Sequence, residues 1–341
     1  MPSGPALAEF LAGHDSLAVV CHNNPDPDSL ASAMALEVIA HDEGLTDVDV
    51  LYSGSISHQQ NRAFVNLLDL DLTRFAVGDL DTADLVAFVD HSRPGANNEV
   101  PQETSVDIVI DHHTADGVDA SYVDHREAIG ATATIMTEYL SELDLLTSEA
   151  LATALMFAIR RETLTFLRGA TSAEFAAAEL LHGHLDTELL RRLAHPAVSE
   201  STVDAISDAI DNRTVRGSTL LSHTGWTTER DAIPQAADYL SEVEGVQTCI
   251  VFGLIDDSVE LSARSTDSRV HVGNVLDEAF SDVGSAGGHR QMAGGHVPLG
   301  LFADLASDGG DEDLVEMVER IVSRRLSRRL NLSSREEADT E

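Results

Sequence analysis

Three short apolar runs in the first half of the sequence each end directly in histidine and aspartate residues. The runs are Leu17–Val20, Leu85–Val89 and Ile108–Ile110, and the polar clusters that follow them contain His22, Asp90 and Asp111. Helix-like apolar spacing lies between several of the runs, as in residues 29–39. Strands that are apolar throughout and alternate with helices are typical of a parallel sheet. The sequence therefore predicts an α/β fold with a doubly wound, mainly parallel sheet.

The polar clusters indicate a metal site. Their imidazole and carboxylate groups belong to His22, Asp26, Asp28, Asp90, His91, Asp111, His112 and His113. In an open α/β sheet, ligands bind at the carboxyl ends of the strands, so these side chains are expected to converge. A single Asp-rich turn is equally well explained as a helix cap. Three such turns at successive strand ends favour a site for Mn²⁺, Mg²⁺ or Zn²⁺.

Further apolar runs predict the remaining architecture. In the first half, residues 48–52 and 75–77 are predicted strands. In the second half, strands are predicted at 219–221, 246–254 and 259–263, with helices at 232–243 and 272–280. This arrangement predicts a second, smaller α/β domain with a cleft between the two domains. The expected boundaries are 1–195 for the first domain, 196–216 for a connector helix, 217–331 for the second domain and 332–341 for a frayed tail.

The charge balance narrows the functional classes. The net charge is −38, and all 21 basic residues are Arg. Such a composition is typical of a protein that works in concentrated salt, where a carboxylate-rich surface stays hydrated and its self-repulsion is screened. A general nucleic-acid-binding surface is disfavoured, so a nucleotide would have to be held locally. Cys21 and Cys249 are expected to be buried thiols, and without a membrane span or signal peptide the chain is expected to be cytoplasmic.

The motifs resemble those of the DHH family of phosphoesterases, which takes its name from the run that stands here at Asp111 to His113. The family pattern His-x-x-Pro-Asp-x-Asp, followed by a Ser, matches residues 22–28 and Ser32. The stretch 158–166 resembles the family's fourth motif, Gly-Ile-x-x-Asp-Thr-x-x-Phe. It departs from that motif with Ala158 for Gly and Glu162 for Asp. The longer Glu side chain keeps a hard oxygen ligand but changes its reach.

The resemblance implies a two-metal site with a pair of Mn²⁺ ions, for which Mg²⁺ or Co²⁺ can substitute. One ion would be held by His22, Asp26 and Asp90, and the other by Asp28, Asp90, His112 and Glu162. Asp90 would bridge the ions and be essential for catalysis. His113 would contact the scissile phosphate or protonate the leaving oxygen, and Asp111 would orient His112 from behind. Asp124 competes with Glu162 for the fourth ligand position.

The second domain resembles the C-terminal domain that is associated with DHH proteins. The matching residues, which the resemblance assigns to substrate binding, are Arg264, Ser265, Gly287, Gly288 and His289, and the last three are expected to form a loop. Gly-rich backbone can approach a phosphate closely, and an Arg guanidinium can bind it through two hydrogen bonds.

Two other features of the sequence each allow two interpretations. The small residues after Gly130 indicate either a phosphate-binding helix start or a tightly packed helix, and the Arg-rich helix 311–330 indicates either a dipole-matched helix or a nucleic-acid patch.

The resemblance implies a hydrolase that acts on phosphoester bonds. The expected activity is that of an oligoribonuclease that also dephosphorylates adenosine 3′,5′-bisphosphate. Alternatives are a cyclic di-AMP phosphodiesterase and a RecJ-like single-strand exonuclease. A non-catalytic nucleotide-binding regulator is the alternative from another class. Pyrophosphatase activity is the least expected alternative, because pyrophosphatases carry a different second domain. The expected partners are a short oligonucleotide or nucleotide and a second copy of the chain in a homodimer. No membrane partner is expected.

Overall fold

The computed structural model describes residues 2–56, 58–115, 117–302 and 312–330. It divides the chain into two compact units, the first ending at Ala197 and the second beginning at Val198. In the described part of the chain, no helix is long and apolar enough to cross a membrane. The predicted tail 332–341 lies outside the described residues.

The first unit is built on a six-stranded sheet in which every pair of neighbouring strands is parallel. The strands are β1 Ser16–Asn23, β2 Asp47–Ser53, β3 Thr73–Arg74, β4 Leu85–Val89, β5 Ile108–Asp111 and β6 Tyr122–His125. Their order in the sheet is β3-β2-β1-β4-β5-β6. The order reverses between β1 and β4, and ligands bind beyond the carboxyl ends of strands at such a reversal. The predicted α/β fold with a mainly parallel sheet is confirmed.

Seven helices belong to the first unit as described. They are α1 Gly4–Leu11, α2 Pro27–Asp42, α3 Gln59–Leu68, α4 Thr132–Glu142, α5 Glu149–Glu162, α6 Ser172–His182 and α7 Thr187–Ala194. Their buried side chains form one apolar cluster with alternate β1 residues such as Val19. The opposite sheet face, which carries Val20, packs against a short 3-10 helix at Val77–Thr82 and loop residues such as Val106. The alternation along β1 follows from the two-residue period of a strand.

Two strands of the first sheet differ from the prediction. The predicted strand at residues 75–77 is wrong, because the strand is Thr73–Arg74 and Val77 already begins the 3-10 helix. This strand is only two residues long, and its position is set by pairing with β2 rather than by an apolar run. The strand β6, at the sheet edge, is absent from the predicted strands because only Tyr122 and Val123 of its four residues are apolar.

The second unit contains a mixed sheet in the order β11-β12-β10-β9-β8-β7, in which only β8 and β9 are parallel. The strands are β7 Thr214–Arg216, β8 Thr219–Trp226, β9 Thr248–Ile255, β10 Ser258–Ser265, β11 Ser285–Gly288 and β12 Met292–Pro298. The helices are α8 Glu200–Asp211, α9 Ala232–Ser241, α10 Val272–Phe280 and α11 Glu312–Leu330. Helices α8 and α9 pack on one face of the sheet through Ala209 and Ile233. Helices α10 and α11 pack on the other face through Leu276 and Val322.

The glycine-rich stretch of the second unit forms strands, which corrects the prediction of a loop. Gly287 and Gly288 lie in β11 and pair with Gly294 and Ala293 of β12. A Cβ atom on Gly273 of α10 would stand 2.1 Å from the carbonyl oxygen of Gly288, and Gly288 itself has φ +142°. The glycines thus allow α10 to begin directly against the hairpin backbone.

Candidate metal centre

The turn after β1 is shaped by a helix cap. Asp26 is the N-cap residue of α2, and its Oδ1 accepts hydrogen bonds from the N–H groups of Asp28 (3.0 Å) and Ser29 (3.1 Å). Pro27 occupies the first turn, where its fixed φ suits a helix start. The His22 Nε2 atom lies 3.8 Å from Asp26 Oδ1. The capping explanation of this turn is therefore correct, and the same carboxylate also faces a histidine.

Asp90 directly follows β4, and each of its two carboxylate oxygens faces a histidine. Its Oδ2 lies 3.6 Å from His22 Nε2, and its Oδ1 lies 3.6 Å from His112 Nε2. Its φ is +66°, a left-handed conformation that is uncommon outside glycine and clusters at functional sites. The side chain is almost wholly buried, and Oδ1 also accepts a 2.8 Å hydrogen bond from Thr132 Oγ1.

His112 presents one ring nitrogen to two carboxylates. Its Nδ1 lies 3.1 Å from the carbonyl oxygen of Ile129, which fixes the ring. Its Nε2 is buried without a hydrogen-bond partner, 3.7 Å from Asp28 Oδ2 and 3.6 Å from Asp90 Oδ1. These separations exceed hydrogen-bond length, and an orphaned buried nitrogen is rare in folded proteins. A cation between the three groups would satisfy the nitrogen and both carboxylates, so this donor set fits a divalent metal such as Mn²⁺.

Two sets of side chains among the described residues converge closely enough to hold a metal ion. One set is His22, Asp26 and Asp90, and the other is Asp90, His112 and His113. Asp90 belongs to both sets, which is the arrangement expected of a bridging carboxylate. His91 stays apart from these sets: it is buried and stacks on Phe88 with 4.4 Å between ring centroids.

The structure assigns Asp111 to a different histidine from the one predicted. Asp111 Oδ1 lies 3.0 Å from His113 Nδ1 and accepts a 3.0 Å hydrogen bond from the His113 backbone N–H. The expectation that Asp111 orients His112 is therefore wrong. An Asp side chain in a turn readily accepts from the N–H two residues further on, and this geometry selects His113. His112 is instead oriented by the Ile129 carbonyl group.

Asp28 connects the metal cluster to the start of α4. Its two carboxylate oxygens accept 2.8 Å hydrogen bonds from the N–H groups of Thr132 and Ala133. These N–H groups are consequently used by a protein carboxylate, which argues against the phosphate-binding helix start. The tightly packed alternative fits, because a Cβ atom on Gly130 would stand 2.8 Å from the carbonyl oxygen of Gly169.

Glu162 is the last residue of α5 and lies within electrostatic range of the cluster. Burial raises the pKa of its carboxyl group, and the negative charges of Asp26 and Asp90 raise it further. The three residues 164–166 that follow have φ values of +47°, +59° and +64°. Three consecutive left-handed residues other than glycine are unusual, and such backbone strain concentrates at functional sites.

The competing ligand candidate, Asp124, is occupied elsewhere. Arg126 binds both of its carboxylate oxygens, with Nε 2.7 Å from Oδ1 and Nη2 2.6 Å from Oδ2. Tyr139 also donates a hydrogen bond to Asp124 Oδ2. The buried Asp124 carboxylate is therefore paired with the partly exposed Arg126, and Glu162 remains the candidate for the fourth-motif carboxylate.

The negative charges of the cluster raise the pKa values of its other titratable groups, His22 and Asp28. Burial would lower the pKa of His22, but the carboxylates of Asp26 and Asp90 outweigh burial and raise it to about 11. Burial raises the pKa of Asp28, and the charges of Asp90 and Asp26 add to that effect. Without a cation, the cluster is thus expected to retain protons at neutral pH, and binding a divalent ion should displace them.

The predicted substrate-binding residues of the second unit make contacts within that unit. The Arg264 guanidinium donates to Asp238 Oδ1 (2.5 Å) and to Ser262 Oγ (2.9 Å). Ser265 is buried, and its Oγ lies 2.9 Å from Thr248 Oγ1, so its hydroxyl is engaged in the fold rather than available to a substrate. His289 uses its backbone in the β11–β12 turn and accepts a hydrogen bond from Gly273 N–H through its carbonyl oxygen (3.1 Å).

Thr132 is a functional candidate that the sequence did not reveal. Its hydroxyl donates to Asp90 and its backbone N–H donates to Asp28, so one residue holds two carboxylates of the cluster. The only signal in the sequence is its place among the small residues that open α4, and that position gives no hint of its partners.

Comparison with known proteins identifies the family. Residues 16–159 match the DHH family, N-terminal domain, and residues 217–323 match the DHHA1 domain. The chain belongs to the DHH family. Relatives of this DHH chain include an uncharacterized protein of Methanocaldococcus jannaschii, 38% identical over 302 residues, which represent 88% of this chain and 62% of the relative.

Two further relatives have described activities. The cyclic-di-AMP phosphodiesterase PdeA of Listeria monocytogenes is 25% identical over 308 residues, 84% of this chain and 46% of the relative. A manganese-dependent inorganic pyrophosphatase of Methanothrix thermoacetophila is 27% identical over 154 residues, 45% of this chain and 49% of the relative. The DHH chain spans less than two thirds of the length of all three relatives.

A solved structure shares the fold of both units. An exopolyphosphatase-related protein from Bacteroides fragilis superposes with a TM-score of 0.71 at 15% identity, covering 96% of this DHH chain and 97% of the other. At this identity the similarity establishes the fold alone.

Proposed function

We propose that this DHH protein is a metal-dependent phosphoesterase that hydrolyses phosphodiester or phosphomonoester bonds of short oligonucleotides or nucleotides. The observation that carries the proposal is the position of Asp90, whose two oxygens each lie 3.6 Å from a histidine nitrogen. Divalent cations held on either side of such a carboxylate supply Lewis-acid polarisation of a phosphoryl oxygen and lower the pKa of water.

The proposed ligands form two groups around Asp90. His22 and Asp26 would complete one group, and Asp28, His112 and Glu162 would complete the other. The capping hydrogen bonds to Asp26 and the Ile129 contact of His112 already fix the orientation of these side chains. Such pre-organisation reduces the entropy that the chain loses when a cation binds. The support for Glu162 is electrostatic, because its pKa responds to Asp26 and Asp90.

His113 is proposed to donate a proton to the leaving oxygen. Its side chain is 54% exposed, whereas that of Asp111 is 1% exposed, so the imidazole can reach a substrate while its partner stays fixed. Without a metal ion, the contact with Asp111 raises the pKa of His113 to about 9. With Nδ1 held by Asp111, Nε2 is the ring nitrogen that would donate the proton.

The two relatives with described activities favour different substrates. The phosphodiesterase aligns with 84% of this chain, which requires both units, whereas the pyrophosphatase aligns with 45%. A second unit that matches the DHHA1 domain is thus shared with a nucleotide phosphodiesterase. This difference supports a nucleotide or oligonucleotide substrate over inorganic pyrophosphate.

A substrate panel tests the proposal. The purified chain would be assayed in molar KCl with diadenylate, longer oligoribonucleotides, adenosine 3′,5′-bisphosphate, cyclic di-AMP and pyrophosphate, each with Mn²⁺ and with chelator. Turnover of at least one nucleotide substrate that requires Mn²⁺ is expected. Nucleotide binding without any metal-dependent turnover would instead indicate a non-catalytic regulator, and turnover of pyrophosphate alone would refute the substrate class.

A further inference from the structure

A cavity of about 800 Å³ lies wholly within the second unit, between α11 and the β7 edge of the sheet. Four of the chain's 21 basic residues line it, namely Arg216, Arg320, Arg324 and Arg328. Among the residues that the structure describes, none of these four makes an ion pair.

The arginines of α11 separate into two groups with different partners. Arg325 and Arg329 form ion pairs with Asp282 (2.7 Å) and Glu278 (3.3 Å) near α10. Arg320, Arg324 and Arg328 recur every four residues and so share the helix face that lines the cavity. A dipole-matched helix end explains the first group, but it does not explain why the second group converges on a cavity with Arg216.

The cavity also supplies neutral hydrogen-bond donors. The hydroxyl-bearing residues Ser323 and Ser327 lie on the same part of α11, and Thr214 of β7 lies across the cavity. Glu316 and Glu319 line the cavity towards the start of α11, so an anion would bind towards the end of the helix, near Arg324 and Arg328. Guanidinium groups together with hydroxyl donors are the chemistry that binds phosphates.

We propose that this cavity binds the phosphate backbone of a single-stranded oligonucleotide. Residues four apart on a helix are separated by about 6 Å along its axis, so the row from Arg320 to Arg328 extends over about 12 Å. A ribose separates successive phosphates in a nucleic-acid strand, whereas one oxygen atom separates them in inorganic polyphosphate. The wider spacing of the arginine row matches the strand.

The choice of an oligonucleotide as the ligand rests on the proposed function, but binding and hydrolysis are separable. The full chain would be titrated with a short fluorescein-labelled single-stranded oligoribonucleotide in the presence of chelator, and binding would be followed by fluorescence anisotropy over a series of KCl concentrations. A failure of the phosphoesterase proposal would abolish turnover in the substrate panel, whereas a failure of this inference would appear in the titration.

Arg324→Ala and Arg329→Ala form a matched pair, because both remove one positive charge from the same helix and only Arg324 lines the cavity. Arg324→Ala is expected to weaken binding about 10-fold, since it removes a charged hydrogen bond. It should also reduce the slope of log K against log salt by about 0.7. Arg329→Ala should leave both quantities near those of the wild type, and Arg324→Lys should fall between them because it keeps the charge but loses the planar fork.

Several outcomes would overturn the proposal. Equal losses of oligoribonucleotide affinity in Arg324→Ala and Arg329→Ala would show that binding depends on net charge and not on the cavity. If inorganic polyphosphate competes more strongly than unlabelled oligoribonucleotide, the ligand of the cavity is polyphosphate and not a nucleic-acid strand. Competition by inorganic phosphate at equal phosphate concentration would reduce the cavity to a simple anion site.

Discussion

Thr132 offers a sharp test of how the metal cluster is held together. Its hydroxyl donates a 2.8 Å hydrogen bond to Asp90 Oδ1, and both groups are buried. Thr132→Val keeps the shape of the side chain and removes only this donor. A hydrogen bond to a charged group contributes roughly 1.5–3 kcal/mol, which corresponds to about 10- to 150-fold in an equilibrium constant. Mutation of residues that orient metal ligands typically lowers metal affinity by about 10- to 100-fold, which agrees with this range.

The expected result for Thr132→Val is a Mn²⁺ requirement raised by about 10-fold or more, with little loss of activity at saturating Mn²⁺. The assay is initial rate against free Mn²⁺, fitted for half-saturation and maximal rate. Thr132→Ser should restore the wild-type requirement, because it keeps the hydroxyl.

Thr137→Val is the matched control for this experiment. Thr137 is also buried on α4, but its hydroxyl donates to the Ala133 carbonyl oxygen rather than to the cluster. Thr137→Val should therefore alter folding stability without changing the Mn²⁺ requirement. An unchanged requirement in Thr132→Val, or the same change in both valine variants, would refute the role of Thr132 in orienting Asp90.

Three further predictions concern the remaining groups. Glu162→Gln should raise the Mn²⁺ concentration needed for half-maximal activity, with partial recovery at high Mn²⁺ and a milder effect in Glu162→Asp; an unchanged titration would remove Glu162 from the site. Arg264→Ala should raise KM for nucleotide substrates by about 10-fold, whereas Asp238→Asn, which frees the Arg264 guanidinium, should not raise it; equal effects on a small generic phosphodiester would indicate a structural role for Arg264. The pKa of His22 is raised to about 11, so its stabilisation of the metal-free fold is fully present below the unfolded value of about 6.5 and is lost only as pH rises towards 11. Mn²⁺ binding at neutral pH should then release protons, as measured by calorimetry in buffers of different ionisation enthalpy, and binding without proton release would contradict the protonated state of His22.

The apolar runs predicted the strands that carry the site, because a buried parallel strand has to be apolar on both faces. The convergence of His22, Asp90 and His112 could also be predicted, since the carboxyl ends of parallel strands share one sheet edge. The partners of these residues were not predictable in the same way. The pairing of Asp111 with His113 depends on the geometry of one turn, and the contact from Thr132 to Asp90 joins residues that are 42 positions apart.

The glycine-rich segment shows a different limit of sequence reasoning. Gly287 and Gly288 have low strand propensity, so their sequence favours a loop. They form β11 because the backbone pairs with β12, and at Gly288 a Cβ atom would stand 2.7 Å from the Met292 carbonyl oxygen of that strand. A tertiary contact therefore overrides the local preference.

The most direct test of the central claim is the number of Mn²⁺ ions bound by the wild type and by Asp90→Asn. Calorimetric titration of the metal-free wild type should give two ions per chain, because Asp90 faces two histidine groups. Asp90→Asn should bind Mn²⁺ far more weakly at both positions and lose metal-dependent hydrolysis. Asp81→Asn, an equal charge change at an exposed residue of the same unit, should behave as the wild type. Two ions bound to Asp90→Asn with wild-type affinity would contradict a metal centre built around Asp90.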